Sequence, residues 1–104
     1  MRTNTPDIAA MAQHAREAAD YLKTLAHPSR LLLLCCLAEK ERSVTELEQL
    51  LSLRQATVSQ QLARLRDEGL VSTRRDGKTV FYALSDDTTK RFIAVIYDRF
   101  CKPV

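Results

Sequence analysis

Apolar residues recur at helical spacing from Ile8 to Ala26 (Ile8, Met11, Ala12, Ala15, Ala18, Ala19, Leu22, Leu25, Ala26), which predicts an alanine-rich first helix. Pro28 and Ser29 mark a break and a new start. From Arg30 to Lys40 the chain is apolar on nearly every face, the pattern of a central, buried helix. Ser43 with Glu46 three residues on forms a capping box for a third helix, whose Leu47, Leu50 and Leu51 are expected to face the core. After a break at Ser52-Leu53, a fourth helix begins near Arg54; arginine caps poorly, so Ser52 is the candidate cap. In that helix Val58, Leu62 and Leu65 share the inner face, and Gly69 stands where a helix end favours positive φ.

The period then switches to two. Val71, Thr73, Val80, Tyr82 and Leu84 alternate around Asp76-Gly77, a hairpin turn signal. The last segment, Asp87 to Cys101, is helical again, opened by Asp86 and Asp87 in cap and dipole positions. Its apolar stripe (Phe92, Ile93, Val95, Ile96, Tyr97, Phe100) is too wide for one packed face of a small domain, so a second buried face is implied. The expected fold is mainly α with a small β-hairpin wing: four helices, two strands, a fifth helix, in the order of a winged helix-turn-helix. The 104 residues make one domain, with residues 1–7 expected to fray.

Composition narrows the class. An apolar fraction of 45% is that of an ordinary globular chain, and no run approaches the ~18 apolar residues of a membrane span. The N-terminus lacks the apolar stretch of a secretion signal, so a cytoplasmic protein with no membrane role is expected. The net charge of +3 says little, but its placement says more. Residues 54–78 hold Arg54, Arg64, Arg66, Arg74, Arg75 and Lys78 against Asp67, Glu68 and Asp76, so the excess lies on the fourth helix and the ribbon tip.

That placement suits DNA. Gln can pair with adenine through two hydrogen bonds, Thr offers a hydroxyl and a methyl, and Arg forks onto guanine. Gln55, Thr57, Ser59 and Gln60 supply this set near the start of the fourth helix, with Arg64 further along. Arg74, Arg75 and Lys78 on the wing are the candidates for phosphate or minor-groove contacts. A merely solvated helix face is usually rich in Glu and Lys, and this one is not. With no nucleophile–base set, no phosphate loop and only two glycines, the chain is not expected to be an enzyme, and no cofactor is implied. His14 and His27 stand alone and suit structural places better than ligand roles.

Three cysteines without a Cys-x-x-Cys spacing make neither a disulfide scaffold nor a zinc ribbon. Cys35 and Cys36 point about 100° apart on a helix and are poor partners for each other. Either can meet Cys101 if the last helix crosses the second, and either can be ordinary core packing. Arg99 and Lys102 flank Cys101 in the sequence, and reactive cysteines are expected to sit near such cations.

Residues 25–31 (LAHPSRL), 43–51 (SVTELEQLL), 56–62 (ATVSQQL), 65–71 (LRDEGLV) and 75–82 (RDGKTVFY) together resemble the ArsR/SmtB family of bacterial transcriptional repressors, over about Ala18 to Cys101. The resemblance implies a homodimer joined through first and last helices, with a recognition helix and wing from each subunit on a palindromic operator. The arsenic-type Cys-x-Cys is absent from the third helix, and the His and Asp ligands of zinc-type members are absent from the last, so no metal site is expected. The pair 34–37 (LCCL) and 97–101 (YDRFC) is similar instead to the sulfide- and redox-responsive branch typified by BigR, SqrR and HlyU. Matched residue by residue, that branch implies that Cys35 and Cys101 sense reactive sulfur species or oxidants, with Cys36 in the variable slot. The alternative is a metal-responsive repressor that uses cysteine thiolates.

Overall fold

The structure, a computed structural model, describes residues 7–101. The expected fraying of residues 1–6 and the place of Lys102 lie outside that range. Asp7 does not fray: its carboxylate accepts from the Ala10 amide at 3.1 Å and caps the first helix.

Five helices and three strands follow one another as α1 (Ile8–Leu25), α2 (Pro28–Glu39), β1 (Arg42–Ser43), α3 (Val44–Leu51), α4 (Gln55–Asp67), β2 (Val71–Asp76), β3 (Thr79–Leu84) and α5 (Asp87–Phe100). The expected winged helix-turn-helix is therefore present, with one addition. A short strand, β1, pairs with β3 and makes the sheet three-stranded in the order β1-β3-β2. Arg42 stands opposite Tyr82 and Ser43 opposite Phe81, so the segment following α2 is tied into the wing.

The core forms where the leucine-rich α2 meets the helix-turn-helix. Leu33, Leu34 and Leu37 pack with Leu47, Val58, Leu62, Leu65 and Ile93, all buried to within 1%. Burying each such side chain stabilises by roughly 1.5–3 kcal/mol. The sheet closes one end with Val71 and Leu84. The prediction for α2 holds on this side only, because Leu32 on its far side is half exposed. Leu50 of α3 also departs from expectation: it is 54% exposed, because the inward arc of this two-turn helix is filled by Leu47 and, partly, Leu51.

Local signals explain the boundaries. The Ser43–Glu46 capping box forms in both directions, at 3.2 and 3.0 Å. Ser52 is not the cap of α4. It sits in the left-handed region at φ 54° and ends α3, which makes the tight turn between the two helices; Arg54 takes the N-cap place without a side-chain hydrogen bond. Gly69 has the expected positive φ and Gly77 has one too, but the hairpin loop proper is Gly77-Lys78 and not Asp76-Gly77, since Asp76 still pairs with Thr79. Asp86 accepts from the Thr89 amide at 2.7 Å and caps α5; this bond holds its carboxyl below the usual range.

Helix α1 touches the body mainly near its C-terminal half. Leu25 is buried, the Tyr21 hydroxyl lies 3.2 Å from that of Thr89, and the Tyr21 ring meets Phe92 with centroids 6.2 Å apart. Its other apolar residues, among them Ile8 and Met11, are exposed.

Candidate DNA interface and thiol site

Helix α4 shows how a polar surface is built on an apolar support. Val58, Leu62 and Leu65 are fully buried beneath it. Gln55, Ser59, Gln60 and Arg64 are exposed and Thr57 is half-buried, so the expected set stands outward as a group. Gln61, which the sequence reading did not single out, turns sideways instead. Its Oε1 accepts from the Arg30 Nε of α2 at 2.9 Å.

The wing carries its cations unequally. Arg75 and Lys78 are exposed and make no salt bridge among the described residues. Arg74 is engaged. Its Nε donates to both carboxylate oxygens of Glu41 at 2.8 and 3.0 Å, and its terminal nitrogen adds a third bond to the same group. The guanidinium also lies over the Phe81 ring, 4.7 Å from the centroid. These bonds hold the Glu41 carboxyl below the ordinary carboxylate range. In this state Arg74 braces the ribbon against the segment that follows α2 and is not presented as a free cation. Nothing in the sequence signals this pair, because its members lie 33 residues apart.

Helix α5 packs on α2, and the three cysteines lie where the two helices meet. Cys35, Cys36 and Cys101 all line one cavity of about 530 Å³, with Tyr97, Asp98 and Arg42 on its walls. Cys35 and Cys101 also border a second, almost wholly apolar cavity of about 630 Å³ between α1, α2 and α5. All three thiols are free. Cys35 and Cys36 are partly buried, and Cys101 is exposed.

Burial pushes the Cys35 thiol up, and the neighbouring Cys101 and Cys36 add to the shift. Burial raises the Cys36 thiol too, although the Arg42 guanidinium opposes it. Arg42 is itself buried, donates to the Cys36 carbonyl at 3.1 Å, and is ion-paired with Glu39. The electrostatic tie to Cys101 belongs to Cys35, and the tie to Arg42 belongs to Cys36, so the two adjacent thiols face different surroundings. Among the described residues no three His, Cys, Asp or Glu side chains are grouped to hold a metal ion. The two histidines sit apart from this site. His14 pairs with Glu17 on exposed α1, and His27 takes the N-cap position of α2 without a capping bond. No helix among the described residues is long and apolar enough to cross a membrane.

The bacterial regulatory protein arsR family signature matches residues 27–73. The biofilm growth-associated repressor of Agrobacterium fabrum is 52% identical over 92% of this chain and 82% of its own. The transcriptional activator HlyU of Vibrio cholerae is 41% identical over 88% of this chain and 85% of its own. The structure of its reduced form superposes with a TM-score of 0.83, covering 89% of this chain and 98% of the other. The transcriptional repressor BigR of Xylella fastidiosa superposes with a TM-score of 0.82 at 44% identity, over 94% and 100% of the two chains.

Proposed function

The chain belongs to the arsR family of bacterial regulatory proteins, DNA-binding transcription regulators and not enzymes; from that premise we propose a cytoplasmic homodimeric repressor whose hold on a palindromic operator is switched by thiol chemistry. One observation carries the reading. The exposed Gln55–Gln60 face and a cavity bordered by Cys35 and Cys101 are mounted on one packed unit and share its leucine core.

In this reading Gln55, Thr57, Ser59 and Gln60 read base edges in the major groove, and Arg64 extends the contact. Arg75 and Lys78 hold phosphate or the minor groove, and Arg74 joins them only when its bond to Glu41 opens. The exposed apolar residues of α1 and α5, including Val95 and Phe100 at 64% and 71%, supply the dimer contact. Repression is preferred over activation because the 52%-identical relative is named a repressor.

The switch runs from the exposed thiol inward. The Cys101 thiolate attacks the outer sulfur of a hydropersulfide, RS–SH, and displaces RS⁻, leaving a persulfide on Cys101. The Cys35 thiolate then attacks the inner sulfur of that persulfide and expels HS⁻, leaving a Cys35–Cys101 disulfide. Further sulfane sulfur gives a longer polysulfide bridge. Cross-linking α5 to α2 changes the pose of the two recognition helices in the dimer. Their separation has to match the DNA repeat, so affinity falls.

The test is operator binding by fluorescence anisotropy before and after persulfide treatment. Wild type and Cys36→Ser release the operator, whereas Cys35→Ser and Cys101→Ser stay bound. Mass spectrometry of the released form finds α2 joined to α5. Release by both single-serine proteins overturns the switch, and unchanged affinity in a Gln55→Ala/Gln60→Ala double variant overturns the assignment of the reading face.

A further inference from the structure

The recognition helix is seated by two kinds of contact. Val58, Leu62 and Leu65 bury apolar surface, which is favourable but non-directional and tolerates a small rotation or slide. The Arg30–Gln61 hydrogen bond is directional. Among the described residues it is the one side-chain hydrogen bond that joins α4 to another element.

Arg30 does more than meet Gln61. Its Nη1 donates to the Thr24 carbonyl at 3.1 Å, one of the last-turn oxygens that α1 leaves without an internal partner. A single half-buried guanidinium thus links three helices: α1, which carries exposed apolar residues; α2, which carries Cys35 and Cys36; and α4. Arg30 lies five residues before Cys35, about 7.5 Å along the same helix axis.

We propose that Arg30 is a positioning residue for operator binding, one that sets the rotation and register of α4 through Gln61 and ties that setting to α1 and α2. The idea rests on α4 being the reading helix and goes beyond it in assigning a residue that touches no base. The physical reason is geometric. A guanidinium holds its donors in a rigid fork, so fixing one on the Thr24 carbonyl orients the other toward Gln61. Loss of the Gln61 bond leaves α4 without a directional side-chain tie to another helix, and loss of the Thr24 bond leaves the guanidinium that holds Gln61 unanchored on α1.

A double-mutant cycle tests this, with Arg30→Met, Gln61→Leu and the double variant compared for binding to operator DNA and to an unrelated duplex at several salt concentrations. Each single change is expected to weaken operator binding about tenfold, and the double change no more than the worse single one. Binding to the unrelated duplex and the slope of log affinity against log salt stay as in wild type, because no phosphate contact is lost. Thermal melts establish that each variant is folded. Should Arg30→Met fail to fold, Gln61→Leu alone still has to lose operator preference without losing salt slope.

Additive losses, or unchanged operator binding in both singles, overturn the proposal. A salt slope lowered by about one in Arg30→Met also does so, by making Arg30 a phosphate ligand. Loss of binding in Gln55→Ala/Gln60→Ala with none in Gln61→Leu defeats this inference alone. No effect in either set defeats the reading helix itself.

Discussion

Arg74 and Glu41 form a forked ion pair that straps the outer strand of the wing to the segment following α2, with Nε held 2.8 and 3.0 Å from the two carboxylate oxygens. The most engaged cation of the wing is thus the one least ready to meet a phosphate.

Arg74→Ala is therefore expected to weaken operator binding less than Lys78→Ala does. Glu41→Gln is expected to release Arg74, raise affinity for unrelated duplex and steepen the salt slope by about one. Titration of fluorescent duplexes across a salt series measures both. A larger loss in Arg74→Ala than in Lys78→Ala returns Arg74 to the direct contacts.

The thiols should alkylate in order. Burial raises Cys35 and Cys36, which lowers their thiolate fractions at neutral pH, whereas Cys101 is exposed. Iodoacetamide at pH 7 is expected to label Cys101 first, and raising the pH to about 9 should speed Cys35 and Cys36. Peptide mass mapping against time gives the order; faster labelling of Cys35 than of Cys101 at pH 7 contradicts it.

Leu34→Ala and Leu62→Ala empty fully buried positions in the core that supports α4. Each should cost about 2–5 kcal/mol of stability, read from urea denaturation. Leu50→Ala should cost well under that range, since the side chain is mostly exposed.

Ser52 holds a left-handed backbone at φ 54°. Such a conformation costs an L-residue about 1–2 kcal/mol, while glycine brings about 0.5–1 kcal/mol of extra chain entropy to the unfolded state. The first term is the larger, so Ser52→Gly is expected to stabilise by roughly 0.5 kcal/mol. A lower melting temperature would show that the serine side chain contributes more than its backbone costs.

Local chemistry was legible in the sequence. The Ser43–Glu46 box and the buried Val58-Leu62-Leu65 stripe each depend on spacings of four residues or fewer and form as read, and the hairpin signal at Asp76-Gly77 was right to within one residue, the loop being Gly77-Lys78. Strand β1 was not legible: two residues beside a cap carry no period, and their pairing depends on Phe81 and Tyr82 far along the chain. The same distance in sequence hid the Arg74–Glu41 and Arg30–Gln61 bonds. Leu50 misled because helical spacing cannot say how wide the buried arc of a two-turn helix is. Nor could spacing bring Cys35 and Cys101 together. That came from family resemblance, and the structure lines one cavity with both.

Because the two-residue β1 lies along one side of β3, the long open edge of the sheet is that of β2, and Arg74 and Arg75 stand in it. Unpaired strand edges invite a neighbouring chain to add on, and cations there discourage it. The ribbon is thereby guarded against zippering when many copies crowd together on a chromosome, and replacing both arginines with apolar residues would trade that solubility for self-association.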